Sequence, residues 1–283
     1  MIGLGTAPIG GLYAPVDEDT ARATLNRAWA LGIRAFDTAP YYGSGLAERR
    51  LGAFLHGKSR DAFTVSTKIG RLLGPDASGW EGAYFDFSRD AALRSLDESL
   101  ERLGLDRVDI ALVHDPDDHY DEALAGAFRA LQRLRDEGVV RAIGVGMNQT
   151  EMLCRFAREA DPDCFLVAGR WTVLDRSAAE LLSLCQEHHI TVVAGGVFNS
   201  GVLVGGTTFD YETASSEVLV RVAALRETCA RWGVPLEAAA LQFPLRHPAV
   251  ASIVVGCRAP AEVEEDVLFS QLDVPDALWA ELG

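Results

Sequence analysis

The chain has 283 residues, with 26 Lys or Arg against 41 Asp or Glu, so its formal net charge is −15. Hydrophobic residues make up 48% and charged residues 24%, a composition typical of a folded globular protein. Because proteins that bind nucleic acid or anionic lipid concentrate Lys and Arg, the acidic balance argues against both kinds of partner.

Short β-branched or apolar runs alternate with segments of helical periodicity along the whole chain. The predicted strands are Ile2–Thr6, Arg34–Thr38, Phe63–Lys68, Val108–His114, Ala142–Val145, Phe165–Ala168, Thr191–Ala194 and Ser252–Val255. The predicted helices are Asp17–Leu31, Ser88–Leu103, Asp121–Glu137, Thr150–Glu159, Ser177–His188 and Ser216–Trp232.

This alternation predicts an α/β fold with a parallel sheet, and eight strands favour closure into a (β/α)8 TIM barrel. An open doubly wound sheet is the alternative, but the required Gly-x-Gly-x-x-Gly turn is missing after Gly3-Leu4-Gly5. No linker composition divides the chain, so we expect a single domain over residues 1–283. The long loops at 69–87 and 197–215 are expected to form the rim of an active site at the C-terminal mouth of the strands.

Ionisable residues stand at three consecutive predicted strand ends, which a barrel brings to one mouth. Asp37, Lys68 and His114 end the second, third and fourth strands, and Tyr42 lies in the loop after the second. A tyrosine with a pKa of about 10 is a poor acid or base at neutral pH, and a nearby ammonium lowers that pKa. Lys68 would supply the ammonium, Asp37 its counter-ion, and His114 a hydrogen bond to a substrate oxygen.

Each of these residues alone has an ordinary explanation, as a capping Asp, a surface Lys or a turn His. Their coincidence at matching strand ends favours proton transfer to a carbonyl or alcohol oxygen while a hydride moves elsewhere. Asp115, Asp117, Asp118 and His119 are interpreted as a solvated turn, and no metal site is predicted. A barrel hydrolase that uses Asp37 with Asp115 or Asp117 as an acid and base pair is an alternative.

At these residues the sequence resembles the aldo-keto reductase superfamily. The segments that carry the resemblance are Phe36–Glu48, Val65–Lys68, Leu112–His114, Gly144–Asn148 and Val255–Asp266. The resemblance implies Tyr42 as proton donor and acceptor, Lys68 and Asp37 as its tuning pair, and His114 as the group that orients the carbonyl.

The resemblance also implies a nicotinamide cofactor, NAD or NADP. Asn148 would hold the carboxamide, the segment Val197, Phe198, Asn199, Ser200 and Gly201 would wrap the pyrophosphate, and the C-terminal group would face the adenosine half. That group comprises Gly256, Arg258, Glu262, Glu265 and Asp266. Since Arg258 is the one basic residue between Gly256 and Ser270, against four carboxylates, we expect NAD or dual use.

Three departures narrow the subgroup. Ala168–Thr172 replaces the Gln that often ends the sixth strand, Gly195 or Gly196 replaces a stacking Tyr, and the usual N-terminal hairpin is reduced or missing. The segments Asp163–Asp175 and Gly195–Gly201, which contain the first two departures, resemble the aldose dehydrogenase branch. That branch includes L-fucose, D-threo-aldose, L-galactose and pyridoxal 4-dehydrogenases and implies oxidation of a small aldose, hemiacetal or aldehyde. The alternatives within the family are an aldehyde reductase of broad specificity and a pyridoxal 4-dehydrogenase.

The substrate pocket is expected to come from the long loops, because aromatic walls with a few polar groups suit a sugar ring. The candidates are Tyr41, Trp80, Tyr84, Phe85, His119, Arg170 and Trp171. Five scattered cysteines and the absence of a signal segment predict a cytoplasmic protein. We expect either a monomer or a homodimer. A cofactor-sensing regulatory subunit on the same scaffold is the non-enzymatic alternative.

Overall fold

The computed structural model describes residues 1–283 as a closed barrel of eight parallel strands in consecutive order, with β1 paired to both β2 and β8. This confirms the predicted (β/α)8 architecture. The strands are β1 Ile2–Gly5, β2 Ala35–Asp37, β3 Thr64–Ile69, β4 Ile110–His114, β5 Ala142–Met147, β6 Cys164–Ala168, β7 Thr191–Gly195 and β8 Val250–Gly256.

Helices surround the barrel, and all six predicted helices are present within a few residues of their predicted ends. They are α1 Glu18–Ala30, α2 Leu46–Leu55, α3 Arg89–Leu103, α4 (Tyr120–Glu122, a π-helical segment Ala123–Phe128, and Arg129–Asp136), α5 Thr150–Glu159, α6 Ala179–Glu187, α7 Ser216–Arg231, α8 Leu236–Gln242, α9 Pro260–Ser270 and α10 Asp276–Leu282. The helical periodicity did not predict α2, α8, α9 or α10. None of the helices combines the length and apolarity that a membrane crossing requires.

Local capping explains where several of these helices begin and end. The Asp17 carboxylate accepts a hydrogen bond from the Thr20 amide at 2.8 Å, which satisfies one of the free amides at the start of α1. Gly104 ends α3 with a positive φ of 62°, a conformation that costs glycine little.

The main hydrophobic core lies between the strands and the helices, where Phe36, Phe165 and Ile253 are buried. A second, smaller core around Trp279 joins α7, α8 and α10. All five cysteines are buried and unpaired, as expected for core thiols.

Both long loops carry secondary structure that the sequence did not predict. The first contains an antiparallel hairpin, Arg71–Ser78 paired with Glu81–Phe85, which we call the mouth hairpin. The second contains two short strands, Thr208–Phe209 and Glu212–Thr213, which we call the strap. Both follow the C-terminal end of a barrel strand, so they lie on the side of the molecule where the ionisable residues converge.

Candidate active site

Lys68 lies at the centre of a buried polar cluster inside the C-terminal end of the barrel. Its Nζ donates hydrogen bonds to Asp37 Oδ2 at 2.7 Å, to the Thr38 carbonyl at 2.9 Å and to the Tyr42 hydroxyl at 3.0 Å. An ammonium group has three protons, so all of its donors are used. Gly146 on β5 lies beside the lysine stem, since a Cβ there would be in ordinary van der Waals contact with Lys68 Cε at 3.6 Å.

The loop that carries Tyr42 is fixed by close backbone packing and a buried carboxylate. A Cβ on Gly43 would meet the Gly10 carbonyl oxygen at 2.3 Å, so only glycine permits this approach. Glu48 on α2 is fully buried and accepts hydrogen bonds from Thr67 at 2.7 Å and from Arg102 at 2.6 Å. These contacts tie α2 to β3 and α3, which holds Tyr42 over Lys68.

The pKa values in this cluster correct one expectation. Burial lowers the pKa of Lys68, but Asp37 and Tyr42 more than offset this effect, so its pKa lies above its ordinary value. Burial raises the pKa of Tyr42 above 10.0, and the Asp37 charge adds to the rise against the effect of Lys68. The sequence predicts a net lowering of the Tyr42 pKa; in the free chain the net shift is upward, because desolvation of the phenolate outweighs the ammonium.

His114 ends β4 beside Tyr42, with the two ring centroids 6.0 Å apart and nearly perpendicular. Its side chain is buried, and its Nδ1 has no hydrogen-bond partner. Burial, aided by the positive charges of Lys68 and Arg71, holds the pKa of His114 well below 6.5. The imidazole is therefore neutral at physiological pH, and its Nε2 faces Asp115 Oδ2 at 3.6 Å.

Two charged residues that the sequence did not single out as a pair complete the mouth. Arg71, the first residue of the mouth hairpin, donates a hydrogen bond to Asp115 at 3.1 Å and lies 3.4 Å above the Tyr41 ring centroid. Burial raises the pKa of Asp115 to about 6, against the opposing effect of Arg71. The interpretation of Asp115 as a solvated turn residue is therefore wrong, since its carboxylate is partly buried beside His114 and paired with Arg71.

Asp37 cannot act with Asp115 or Asp117 as a hydrolytic pair. Its Oδ1 accepts from Ser66 at 2.7 Å and its Oδ2 from Lys68, so both oxygens are committed. This removes the structural basis for the hydrolase alternative.

The mouth hairpin brings Trp80 against the tyrosine loop. The Trp80 ring lies 5.0 Å from Tyr41 and 5.9 Å from Tyr42 between centroids, and the Tyr41 hydroxyl donates to the Trp80 carbonyl at 3.3 Å. Its indole Nε1 is buried without a partner. Trp80 and Tyr41 therefore form one wall beside the Tyr42 hydroxyl.

The other predicted pocket residues lie further out or elsewhere. Phe85 is 43% exposed and stacks on Phe87 and against His119, and Tyr84 is 44% exposed on the opposite face of its strand. Trp171 packs against Phe243 and His247, with centroids 5.4 and 5.6 Å away. The ring of Trp171 thus belongs to the contact between the two cores and not to the group around Tyr42.

A groove crosses the carboxyl ends of β5, β6 and β7 next to this cluster. It is lined by Asn148, Gly169, Arg170, Gly196, Asn199, Ser200, Asp210 and Tyr211, among others. The strap lies over it, because Arg170 binds both oxygens of Asp210 at 2.9 Å and the Tyr211 amide donates to Ser200 Oγ at 3.0 Å. Arg170 is therefore committed to an ion pair with the strap.

The segment after β7 suits a bound phosphate. The amides of Val197 and Phe198 make no hydrogen bond within the chain. Phe198 has φ −95° and ψ 10°, and Asn199, Ser200 and Gly201 follow with φ values of 46°, 58° and 97°. A right-handed residue followed by a left-handed one turns successive amides to one side, as in anion-binding concavities. The Asn199 amide is already used by the Gly196 carbonyl at 2.8 Å, so the Phe198 amide is the one of this pair that is left for an anion. The Asn199 side chain itself is structural, because it bonds Thr172 at 2.7 Å and the Gly169 carbonyl at 3.0 Å.

The residues near the C-terminus that were predicted to face the adenosine half of the cofactor do not all point in the same direction. The Arg258 amide donates to Glu262 Oε2 at 2.6 Å, and its guanidinium lies 3.4 Å from Oε1. Asp266 is 7% exposed and accepts from Cys257 Sγ at 3.2 Å, and burial raises its pKa to about 7. Asp266 was expected to be one of the charged carboxylates that face the adenosine half of the cofactor, and its burial shows that this expectation is wrong.

A contact that the sequence could not reveal involves Glu264. It binds Arg27 of α1 at 2.7 Å, so a second cation stands near this helix. The Glu265 side chain makes no ion pair within the chain. Gly256 lies so close to Pro8 that a Cβ on the glycine would be 2.6 Å from the proline Cγ.

Known proteins have similar sequences and folds. The model of the aldo/keto reductase family matches residues 1–282. The chain is 44% identical to a D-threo-aldose 1-dehydrogenase from Pseudomonas sp, over 100% of this chain and 92% of that protein. It is 41% identical to a pyridoxal 4-dehydrogenase from Microbacterium luteolum, over 99% and 92%. The fold matches the holo form of an aldo-keto reductase from Bacillus halodurans with a TM-score of 0.82 and 25% identity, over 100% of this chain and 91% of the other.

Proposed function

The chain belongs to the aldo/keto reductase family and is an NAD(P)-dependent oxidoreductase, and we propose that it oxidises the hemiacetal carbon of a free aldose to a lactone. The observation that carries this proposal is the cluster of Asp37, Lys68 and Tyr42 beside a neutral His114. This arrangement can hold one substrate oxygen and move its proton.

In the proposed mechanism the oxygen on the reacting carbon lies between Tyr42 and His114. Tyr42 takes the hydroxyl proton during oxidation and returns it during reduction. Lys68 stabilises the phenolate that forms, and Asp37 keeps the lysine charged inside the barrel. Neutral His114 donates a hydrogen bond to the same oxygen. The bound nicotinamide supplies the hydride acceptor.

Asn148 and the segment from Val197 to Gly201 are proposed to hold that cofactor. The groove at the ends of β5 to β7 and the free amides of Val197 and Phe198 suit the carboxamide and the pyrophosphate. Arg258, engaged by Glu262, is less available to a 2′-phosphate. We therefore propose NAD, or both cofactors, over strict dependence on NADP.

An aldose is preferred over other substrates because polar and aromatic groups meet at the mouth. The D-threo-aldose 1-dehydrogenase is 44% identical to this chain against 41% for the pyridoxal 4-dehydrogenase, and the wall of Tyr41 and Trp80 offers apolar surface for sugar C–H groups. Pyridoxal is the second candidate, because the other relative is named a pyridoxal 4-dehydrogenase. The hemiacetal form of pyridoxal presents a comparable reacting carbon.

The test is a panel of aldoses and pyridoxal with NAD and with NADP, with nicotinamide absorbance as the readout. Oxidation of an aldose by wild type, abolished in Tyr42→Phe while NAD still quenches protein fluorescence, is the expected result. Tyr84→Phe, which removes the hydroxyl of an exposed tyrosine, is the matched control and should turn over normally. Cofactor binding without turnover of any substrate would instead favour a regulatory subunit.

A further inference from the structure

The catalytic cluster leaves one mouth residue, Asp115, without a role in proton transfer. It follows His114 directly and adopts a left-handed φ of 45°, which is uncommon for a residue other than glycine. Its amide donates to the Gly146 carbonyl at 3.1 Å, which fixes the backbone in this conformation. Backbone strain of this kind persists where the surrounding structure enforces it, and it occurs often at ligand sites.

The carboxylate of Asp115 has one occupied oxygen and one free oxygen. Oδ2 accepts from Arg71 and faces His114 Nε2 at 3.6 Å, whereas Oδ1 accepts no hydrogen bond from the chain. The side chain is 28% exposed, so the free oxygen can reach a ligand in the mouth. A carboxylate accepts only, and its natural partner is a hydroxyl group.

Arg71 orients this carboxylate from the opposite side. Its guanidinium is stacked on Tyr41 and is 23% exposed, so it keeps free donors toward the mouth. A substrate oxygen beside Asp115 would therefore meet an acceptor and a donor together.

We propose that Asp115, oriented by Arg71, binds the hydroxyl on the carbon next to the reacting carbon and so selects α-hydroxy substrates such as aldoses. The inference rests on the proposed function, in which His114 binds the oxygen of the reacting carbon. The 3.6 Å distance from His114 Nε2 to Asp115 Oδ2 places the whole carboxylate next to the imidazole, so His114 and the free Oδ1 of the same carboxylate can hold oxygens on adjacent carbons at the same time. A simple aldehyde, or pyridoxal, has no such hydroxyl and gains nothing from Asp115.

The test combines a substitution of Asp115 in the protein with removal of the 2-hydroxyl group from the substrate. The kcat/KM is measured for an aldose and its 2-deoxy counterpart with wild type, Asp115→Asn and the control Asp118→Asn, an exposed residue of the following turn. In wild type the 2-deoxy sugar should lose about 10- to 100-fold, as expected for a hydrogen bond to a charged group. Asp115→Asn should lose a similar factor on the aldose and little on the 2-deoxy sugar.

Equal losses on both sugars in Asp115→Asn would show a structural role and overturn the inference, although aldose oxidation itself would stand. Failure of wild type to oxidise any aldose would instead overturn the proposed function. If Asp115→Asn folds poorly by circular dichroism, Arg71→Met provides the second variant. It should reproduce part of the loss that depends on the hydroxyl, and a loss independent of the hydroxyl would contradict the proposal.

Discussion

Replacement of Lys68 by Met removes the charge that links Asp37 to Tyr42 while keeping the length of the side chain. The Asp37 carboxylate is then left buried with Ser66 as its remaining side-chain partner. Breaking a buried ion pair in this way costs about 3–5 kcal/mol of the free energy of unfolding. Because a domain has about 5–15 kcal/mol in total, Lys68→Met should be folded but clearly weakened.

The catalytic loss should be larger than the loss of stability explains. Without the ammonium at 3.0 Å, the Tyr42 phenolate loses its one neighbouring cation within hydrogen-bond distance. General acid–base catalysis contributes about 10²- to 10⁴-fold, so kcat should fall within this range at saturating substrate.

The double variant Lys68→Met with Asp37→Asn separates these two effects. Removal of both charges leaves no unpaired buried carboxylate, and the remaining cost, mainly the lost partner of the Thr38 carbonyl, is about 1–3 kcal/mol. Urea unfolding followed by tryptophan fluorescence should therefore show a smaller loss of stability than in Lys68→Met alone, while steady-state assays show the full catalytic loss. A stable double variant that keeps kcat within about threefold of wild type would refute the assigned role of Lys68, since general acid–base catalysis is worth far more.

Three further predictions concern neighbouring groups. Burial holds the pKa of His114 well below 6.5, so the unfolded residue takes up a proton that the folded one refuses, and stability falls as pH drops below 6.5. In urea unfolding at two pH values, His114→Gln should lessen this fall, and an unchanged difference would contradict the shift. Since burial raises the pKa of Asp115 to about 6, kcat/KM for an aldose should decline below that pH in wild type. The decline should be absent in Asp115→Asn, and its persistence there would show that another group causes it. Glu262→Gln should release Arg258 and shift the kcat/KM ratio toward NADP by about fivefold, as for an exposed ion pair, and a ratio that stays constant would count against the proposed cofactor preference.

The barrel was predictable because eight short apolar or β-branched runs alternate with segments of helical periodicity along the chain. The positions of Asp37, Lys68 and His114 at strand ends follow from the pattern, and parallel closure brings them together. The proximity of Tyr42 to Lys68 was predictable as chemistry, but the sign of the Tyr42 pKa shift was not. That sign depends on how much water the folded site excludes, which the sequence does not specify.

The rest of the mouth depends on contacts between distant segments. Arg71 and Asp115 are 44 positions apart in the sequence. Arg71 begins the mouth hairpin, whose first strand contains Gly74 and Pro75, and these residues are unfavourable in strands, so the sequence pattern did not predict it. Likewise, the inward orientation of Asp266 on α9 depends on its contact with Cys257, which lies nine residues earlier in the segment between β8 and that helix. A count of charges along the sequence cannot distinguish a buried carboxylate from an exposed one.

The most direct test of the central claim follows the hydrogen on the reacting carbon. An aldose deuterated at that carbon is incubated with the protein and NAD, and the products are identified by mass spectrometry and NMR. The proposed mechanism predicts a lactone and a reduced nicotinamide that carries one deuterium per lactone formed, with neither product from Tyr42→Phe. Lactone formation without deuterium in the nicotinamide, or undiminished transfer in Tyr42→Phe, would contradict it.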